Sequence, residues 1–171
     1  LSMSGRVCLS DDNLTAMPAT RRVHRLGYLP QPLPQAIPLV AYETVFSACL
    51  SARGDWSRGD TEQAIEQVFE TLGIRDLALR RLSEMSGGQR QMVGLAQVLV
   101  RQTPLMLLDE PTSNLDLAHQ TGIMDLVVRL MEERGTAVLV AMHDLTLAAQ
   151  YCDRLIMLSG GRSYAEGSPS E

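Results

Sequence analysis

The sequence predicts an α/β fold built on a mostly parallel sheet flanked by helices. Three observations lead there. Leu105 to Leu108 is an unbroken apolar run of the kind found in strands buried on both faces, and Asp109 and Glu110 follow it at once. Thr136 to Met142 repeats the pattern and ends at His143, which lies 143 − 109 = 34 positions after Asp109. Between and around these runs, apolar residues recur at helical spacing. In open α/β sheets ligands bind outside the carboxyl ends of the strands, so these acids and the imidazole are expected at one edge.

The elements follow in order. Arg6 to Leu9 reads as a short edge strand, closed by a polar turn over Ser10 to Asn13. Ala19 to His24 reads as a short solvated helix. Leu26 to Leu29 is a second strand, stopped by Pro30 and followed by Gln31. Pro30, Pro32, Pro34 and Pro38 stiffen the loop around that glutamine. Leu39 to Ser83 is mainly helical, with one helix over Val40 to Ser51. A second helix is expected to be capped by Asp60 and to carry Ile65, Val68, Phe69 and Leu72 as core. Trp56, in the intervening loop, is expected to pack over a helix end.

Ser86, Gly87 and Gly88 read as a flexible turn whose small residues let a backbone approach an anion, ahead of a helix from Gln89 to about Arg101. Val93, Ala96, Leu99 and Val100 mark its apolar face. Asp116 fits the N-cap of a helix running over His119 to Arg134 and ending at Gly135. Leu145 to Tyr151 is a short helix, and Arg154 to Ser159 a strand joined through Gly160-Gly161 to Arg162 to Ala165. The polar end, Gly167 to Glu171, suggests that a further helix was cut or never existed.

Composition limits the function. With 45% hydrophobic residues and a mean hydropathy near zero, 171 residues suit one globular domain or a piece of one. No apolar stretch approaches the roughly 18 residues of a membrane span, and no signal-peptide layout opens the chain, so a cytoplasmic location is expected. The net charge of −5 argues against a nucleic-acid partner. Cys8, Cys49 and Cys152 are widely spaced and read as reduced thiols. All 15 basic residues are arginine. A phosphate loop of the form G-x-x-x-x-G-K-[ST] therefore cannot be present.

The segment Ser86 to Asp116 resembles the ATP-binding subunit of ATP-binding cassette (ABC) transporters. MSGGQ at 85–89 is similar to the family signature, LMLLDE at 105–110 to the Walker B strand, SNLD at 113–116 to the D-loop, GYLPQ to the Q-loop and MHDLTLAA to the H-loop. The resemblance implies a P-loop NTPase-like (RecA-like) sheet with an inserted ABC-type helical subdomain, its amino-terminal strands and P-loop absent. It divides residues 1–171 into a catalytic core part, 1–35 and 89–171, and a helical subdomain, 36–88, that bears the signature. The 86 − 31 = 55 positions between Gln31 and Ser86 suit a transporter-type insert and leave no room for the long coiled coil of DNA-repair relatives.

The resemblance also implies roles. Glu110 is the catalytic base, Asp109 holds Mg²⁺ through water, Gln31 touches the metal and the attacking water, and His143 contacts the γ-phosphate. Ser86, Gly87, Gly88 and Gln89 serve the ATP of a second subunit in a head-to-tail dimer, and Asp116 meets its twin. The implied partners are transmembrane permease subunits and, indirectly, a substrate-binding protein. Gln31 and Ala36 to Thr44 are the expected permease contact, and the location becomes the cytoplasmic face of the membrane. GYLPQ, VAYETVFSA, LDLAHQ and HDLTLAAQYCDRL look most similar to importers of iron chelates, haem and vitamin B12, with iron-siderophore uptake the sharper reading.

Met85 replaces the commoner leucine of the signature, a volume-conserving change. GLAQVLVRQ stands where a basic residue and ARAL are usual. Without the P-loop strand, flanking strands are expected to expose edges and apolar faces, and the isolated chain to bind ATP weakly and dissolve poorly. Two further readings stand beside a truncated importer ATPase: a non-catalytic pairing subunit or gene remnant, and a soluble ABC protein of another process.

Overall fold

A computed structural model describes residues 4–31, 38–113 and 115–169. The chain opens with a small antiparallel ribbon, β1 (Cys8–Leu9) against β2 (Asp12–Asn13). The sequence placed a turn over residues 10–13. Ser10 alone takes the left-handed conformation, at φ 52°, and the chain doubles back at once. Helix α1 (Ala19–Arg22) is shorter than expected and leads into β3 (Leu26–Leu29).

Three parallel strands form the central sheet in the order β3, β4 (Leu105–Asp109), β5 (Ala137–Ala141). Their register aligns Leu29, Leu108 and Val140 in one cross-strand row and Tyr28, Leu107 and Leu139 in the next. Side chains alternate across a strand, so the two rows face opposite ways. The first row and its neighbours Gly27 and Met106 are buried or half-buried. In the second, Tyr28 and Leu139 are exposed, Leu139 at 61%, and Leu107 is half-buried. The expectation that β4 and β5 are buried on both faces is thereby corrected: the described residues cover one face more fully than the other, and among them β5 pairs with β4 alone.

Helices α2 (Ala41–Ala52) and α3 (Arg58–Thr71) pack on each other and on α4 (Gly87–Leu99), which also lies against β3. One continuous core joins them to the sheet: Val45, Ile65, Phe69, Val93, Leu95 and Leu108 are all essentially inaccessible. Ile65, Val68, Phe69 and Leu72 are core as expected. The α3 cap lies three residues earlier than expected. The Ser57 hydroxyl accepts the Asp60 amide at 3.2 Å, and the Asp60 carboxylate accepts the Ser57 amide at 3.1 Å, so Asp60 is the far side of a capping box. Trp56 does sit at a helix end. The Arg53 guanidinium stacks over its ring at 5.3 Å and donates to the carbonyls of Arg101 and Gln102 just past α4.

Helix α5 (Leu117–Arg134) buries Ile123, Leu126, Val127 and Leu130 against the core and ends at Gly135, which takes the left-handed C-cap conformation at φ 62°. Helix α6 (Leu145–Tyr151) follows β5. The chain closes on a hairpin of β6 (Leu155–Ser159) and β7 (Arg162–Gly167), longer than expected, turned by Gly160 and Gly161 at φ 55° and 74°. No helix among the described residues is long and apolar enough to cross a membrane.

Candidate active site

The parallel sheet delivers its functional side chains to one edge. Asp109 ends β4, Glu110 follows it, Gln31 lies two residues past β3 and His143 two past β5. These come together. Gln31 Nε2 donates to Glu110 Oε2 at 2.9 Å and lies 3.4 Å from Ser113 Oγ, while His143 Nδ1 stands 3.3 Å from Glu110 Oε1. Residues 79 and 33 positions apart from Glu110 thus converge on its two carboxylate oxygens. Glu110 is 30% exposed and His143 78%, so the carboxylate is recessed and the imidazole stands toward solvent.

The Glu110 backbone is unusual. Its φ of 46° puts a non-glycine residue in the left-handed region, where side chains are crowded against their own backbone. Its amide donates to the Ala141 carbonyl at 2.9 Å. Its carbonyl accepts the Ser113 amide at 3.1 Å and the Gln91 side-chain amide at 3.2 Å. Sequence reasoning missed Gln91 and Ser113. Gln91 was discoverable as a polar residue on the apolar stripe that runs through Leu95 and Val98. Ser113 carried no signal beyond its place in the D-loop resemblance.

The glycine turn is corrected. Gly87 and Gly88 form the first turn of α4, and Ser86 is its N-cap: Ser86 Oγ accepts the Gln89 amide at 3.2 Å, and Gln89 Oε1 accepts the Ser86 amide at 3.1 Å. A serine with glutamine three residues on satisfies two otherwise orphaned donors, which is why the helix starts two residues before Gln89. Asp116 caps α5 as expected. Its Oδ1 accepts the His119 amide at 3.0 Å and lies 2.8 Å from His119 Nδ1. His24, assigned no chemistry, lies 2.8 Å from the Ala52 carbonyl at the end of α2.

The donor set suits a hard divalent cation. Gln31 uses its Nε2 toward Glu110 and Ser113, which leaves the amide oxygen as the atom it can offer a metal. Among the described residues no three His, Cys, Asp or Glu side chains form a metal cage. Mg²⁺ needs none, since it takes one or two carboxylates and completes its octahedron with water and phosphate. A triphosphate fits less well: two acids stand at this edge, and the chain has no lysine to balance the phosphate charge.

A cavity of about 510 Å³ opens beside the site, between β3, α2 and α4, lined among others by Tyr28, Pro30, Leu39, Thr44, Arg90 and Arg101. Of the expected permease contact, Leu39 and Thr44 line this cavity, and Gln31 does not. Pro32, Pro34 and Ala36 lie outside the described residues, as does Asn114 of the D-loop segment.

A profile of the family described as ABC transporter matches residues 2–113. An ABC transporter ATP-binding protein of Methanocaldococcus jannaschii is 36% identical over 167 residues, covering 95% of this chain and 64% of that protein. A probable siderophore transport system ATP-binding protein of Bacillus subtilis is 34% identical over 98% of this chain and 62% of its own length. A hemin import ATP-binding protein of Streptomyces coelicolor is 42% identical over 86% of this chain and 52% of its own. The chain thus spans between half and two thirds of these relatives. Among solved structures, a dimeric ATP-binding cassette in a post-hydrolysis state bound to ADP and Pi superposes with a TM-score of 0.86 at 27% identity, over 97% of this chain and 74% of that one.

Proposed function

The chain belongs to the ABC transporter family, and from that membership we propose that it forms the hydrolytic part of the ATP-binding subunit of an importer. One observation carries the reading: Gln31 and His143 each meet a carboxylate oxygen of Glu110 at the carboxyl edge of the parallel sheet. Glu110 is the general base that takes a proton from the attacking water. Gln31 orients that water, and His143 faces the γ-phosphate. Asp109 and Gln31 hold Mg²⁺, which when bound neutralises charge building on the phosphate oxygens. The phosphates themselves are received by a lysine-bearing loop outside these 171 residues, so this chain alone binds ATP weakly.

In this reading the amino-terminal turn of α4, with Ser86, Gly87, Gly88 and Gln89, faces the nucleotide of a second subunit packed head to tail, and Asp116 lies near the two-fold axis. Residues 36–88 form the helical subdomain. The cavity beside β3 receives a helix of the transmembrane permease and holds the subunit to the cytoplasmic face of the membrane. The relatives named for siderophore and hemin transport favour an iron-siderophore complex as cargo, met first by a separate binding protein.

The test combines this chain with the amino-terminal part of the Bacillus siderophore relative, which restores a lysine loop. Each piece alone is expected to be silent and the pair to hydrolyse ATP. Glu110→Gln should then lower turnover by about 10²- to 10⁴-fold while ATP stays bound. Turnover unaffected by that substitution would remove Glu110 from the role.

A further inference from the structure

We propose that Gln91 is a positioning residue for Glu110: its buried side-chain amide, anchored in α4, holds the left-handed backbone that turns the carboxylate toward Gln31 and His143. Gln91 is only 4% exposed. A buried primary amide without partners is unfavourable, and this one donates to the Glu110 carbonyl at 3.2 Å. Glu110 sits at φ 46°, a conformation that persists in a glutamate only where surrounding contacts dictate it. Three contacts do so here. The Ala141 carbonyl takes its amide, while the Ser113 amide and Gln91 Nε2 share its carbonyl.

Ser113 belongs to the same turn and moves with it. Of the two donors on the Glu110 carbonyl, Gln91 is therefore the one that reaches it from a separate element, two residues past the Ser86–Gln89 capping box, as the Ala141 carbonyl on β5 does for the amide. Removing its N–H leaves the glutamate free to relax to an ordinary right-handed conformation, which swings the carboxylate away from both partners. The inference rests on the proposed role of Glu110 only for its consequence in catalysis; the geometry stands apart from it.

The test uses this chain without nucleotide, so the outcome does not depend on the ATPase reading. Gln91→Met keeps the volume and removes the donor. Residue-resolved NMR should show the Glu110 Cα shift leaving the left-handed range and its amide exchanging about tenfold faster, the effect of losing one hydrogen bond, while Val68 and Phe69 in α3 keep their rates. A merely structural role would instead raise exchange along the whole of α4 with the Glu110 shift retained. That result, or no change at Glu110, overturns the proposal. Should Gln91→Met fail to fold, the same change is made in a Glu110→Gly background, because glycine takes the left-handed conformation without strain. Folding restored there supports the proposal, and failure in both backgrounds refutes it.

Discussion

Gly27→Ala tests how the fold sets the position of Gln31. Gly27 lies in β3 against α4, and a methyl group added to it would meet Val98 Cγ1 at 2.9 Å and Thr103 Oγ1 at 3.2 Å. Separations under 3 Å force something to shift. Val98 is 2% exposed and β-branched, with essentially one rotamer open to it inside a helix, so its methyl group cannot swing aside. Overpacking of this kind costs about 1–3 kcal/mol. Replacing glycine by alanine also restricts the unfolded chain, which offsets about 0.4–1 kcal/mol. The net is a loss of up to about 2.6 kcal/mol, centred on about 1.3 kcal/mol, read as a lower urea midpoint at unchanged slope. Because β3 is the element pushed away, the amide resonances of Gln31 should move as well. Gly122→Ala is the control. It lies inside α5 with nothing within 4 Å of the added carbon and should gain about 0.5–1 kcal/mol. A Gly27→Ala protein as stable as its parent, or the same sign at both positions, would refute the argument from space.

Two other outcomes follow from titration and burial. Hydrogen bonds from the Ser57 hydroxyl and amide hold the Asp60 carboxyl below its ordinary pKa, so its contribution to the start of α3 is present above the usual carboxylate range and lost as pH falls through that lowered value. Asp60→Asn should flatten the acid-dependent fraying of the first turn, followed by amide exchange at residues 57–61; an unchanged acid profile would show that the box is not what titrates. Burial pushes the Cys49 and Cys152 thiols up, whereas Cys8 is exposed. Alkylation near pH 8 should therefore mark Cys8 first and Cys49 only on unfolding, with mass spectrometry of partial digests giving the order and early labelling of Cys49 counting against the packing.

Much of this arrangement was legible in the residues. The run Leu105 to Leu108, its two acids, and His143 after a second apolar run placed the sheet edge without coordinates, and GYLPQ placed Gln31 there. What escaped were features decided by local hydrogen bonding or by the neighbours of a strand. Ser57 and Asp60 are both acceptable caps, and only the reciprocal bond chooses between them. Gly87-Gly88 reads as a turn until Ser86 and Gln89 close a box around it. The left-handed twist at Glu110 has no signature in a sequence, since glutamate rarely adopts it and the contact that holds it comes from Gln91, 19 positions away. Leu139 reads as core because it is leucine in an apolar run, yet whether a face is covered depends on what lies beyond the strand.

The single-sided pairing of β5 also grades the rigidity of the site. β4 is bonded on both flanks, by β3 and β5, so opening it breaks two ladders, whereas β5 can peel away by breaking one. Glu110 follows the strand bonded on both flanks and His143 one bonded, among the described residues, on a single flank, so the two halves of one contact belong to regions with different thresholds for local opening. The carboxylate is the fixed post of this pair, and the imidazole leans on it from the flank expected to exchange its amides sooner.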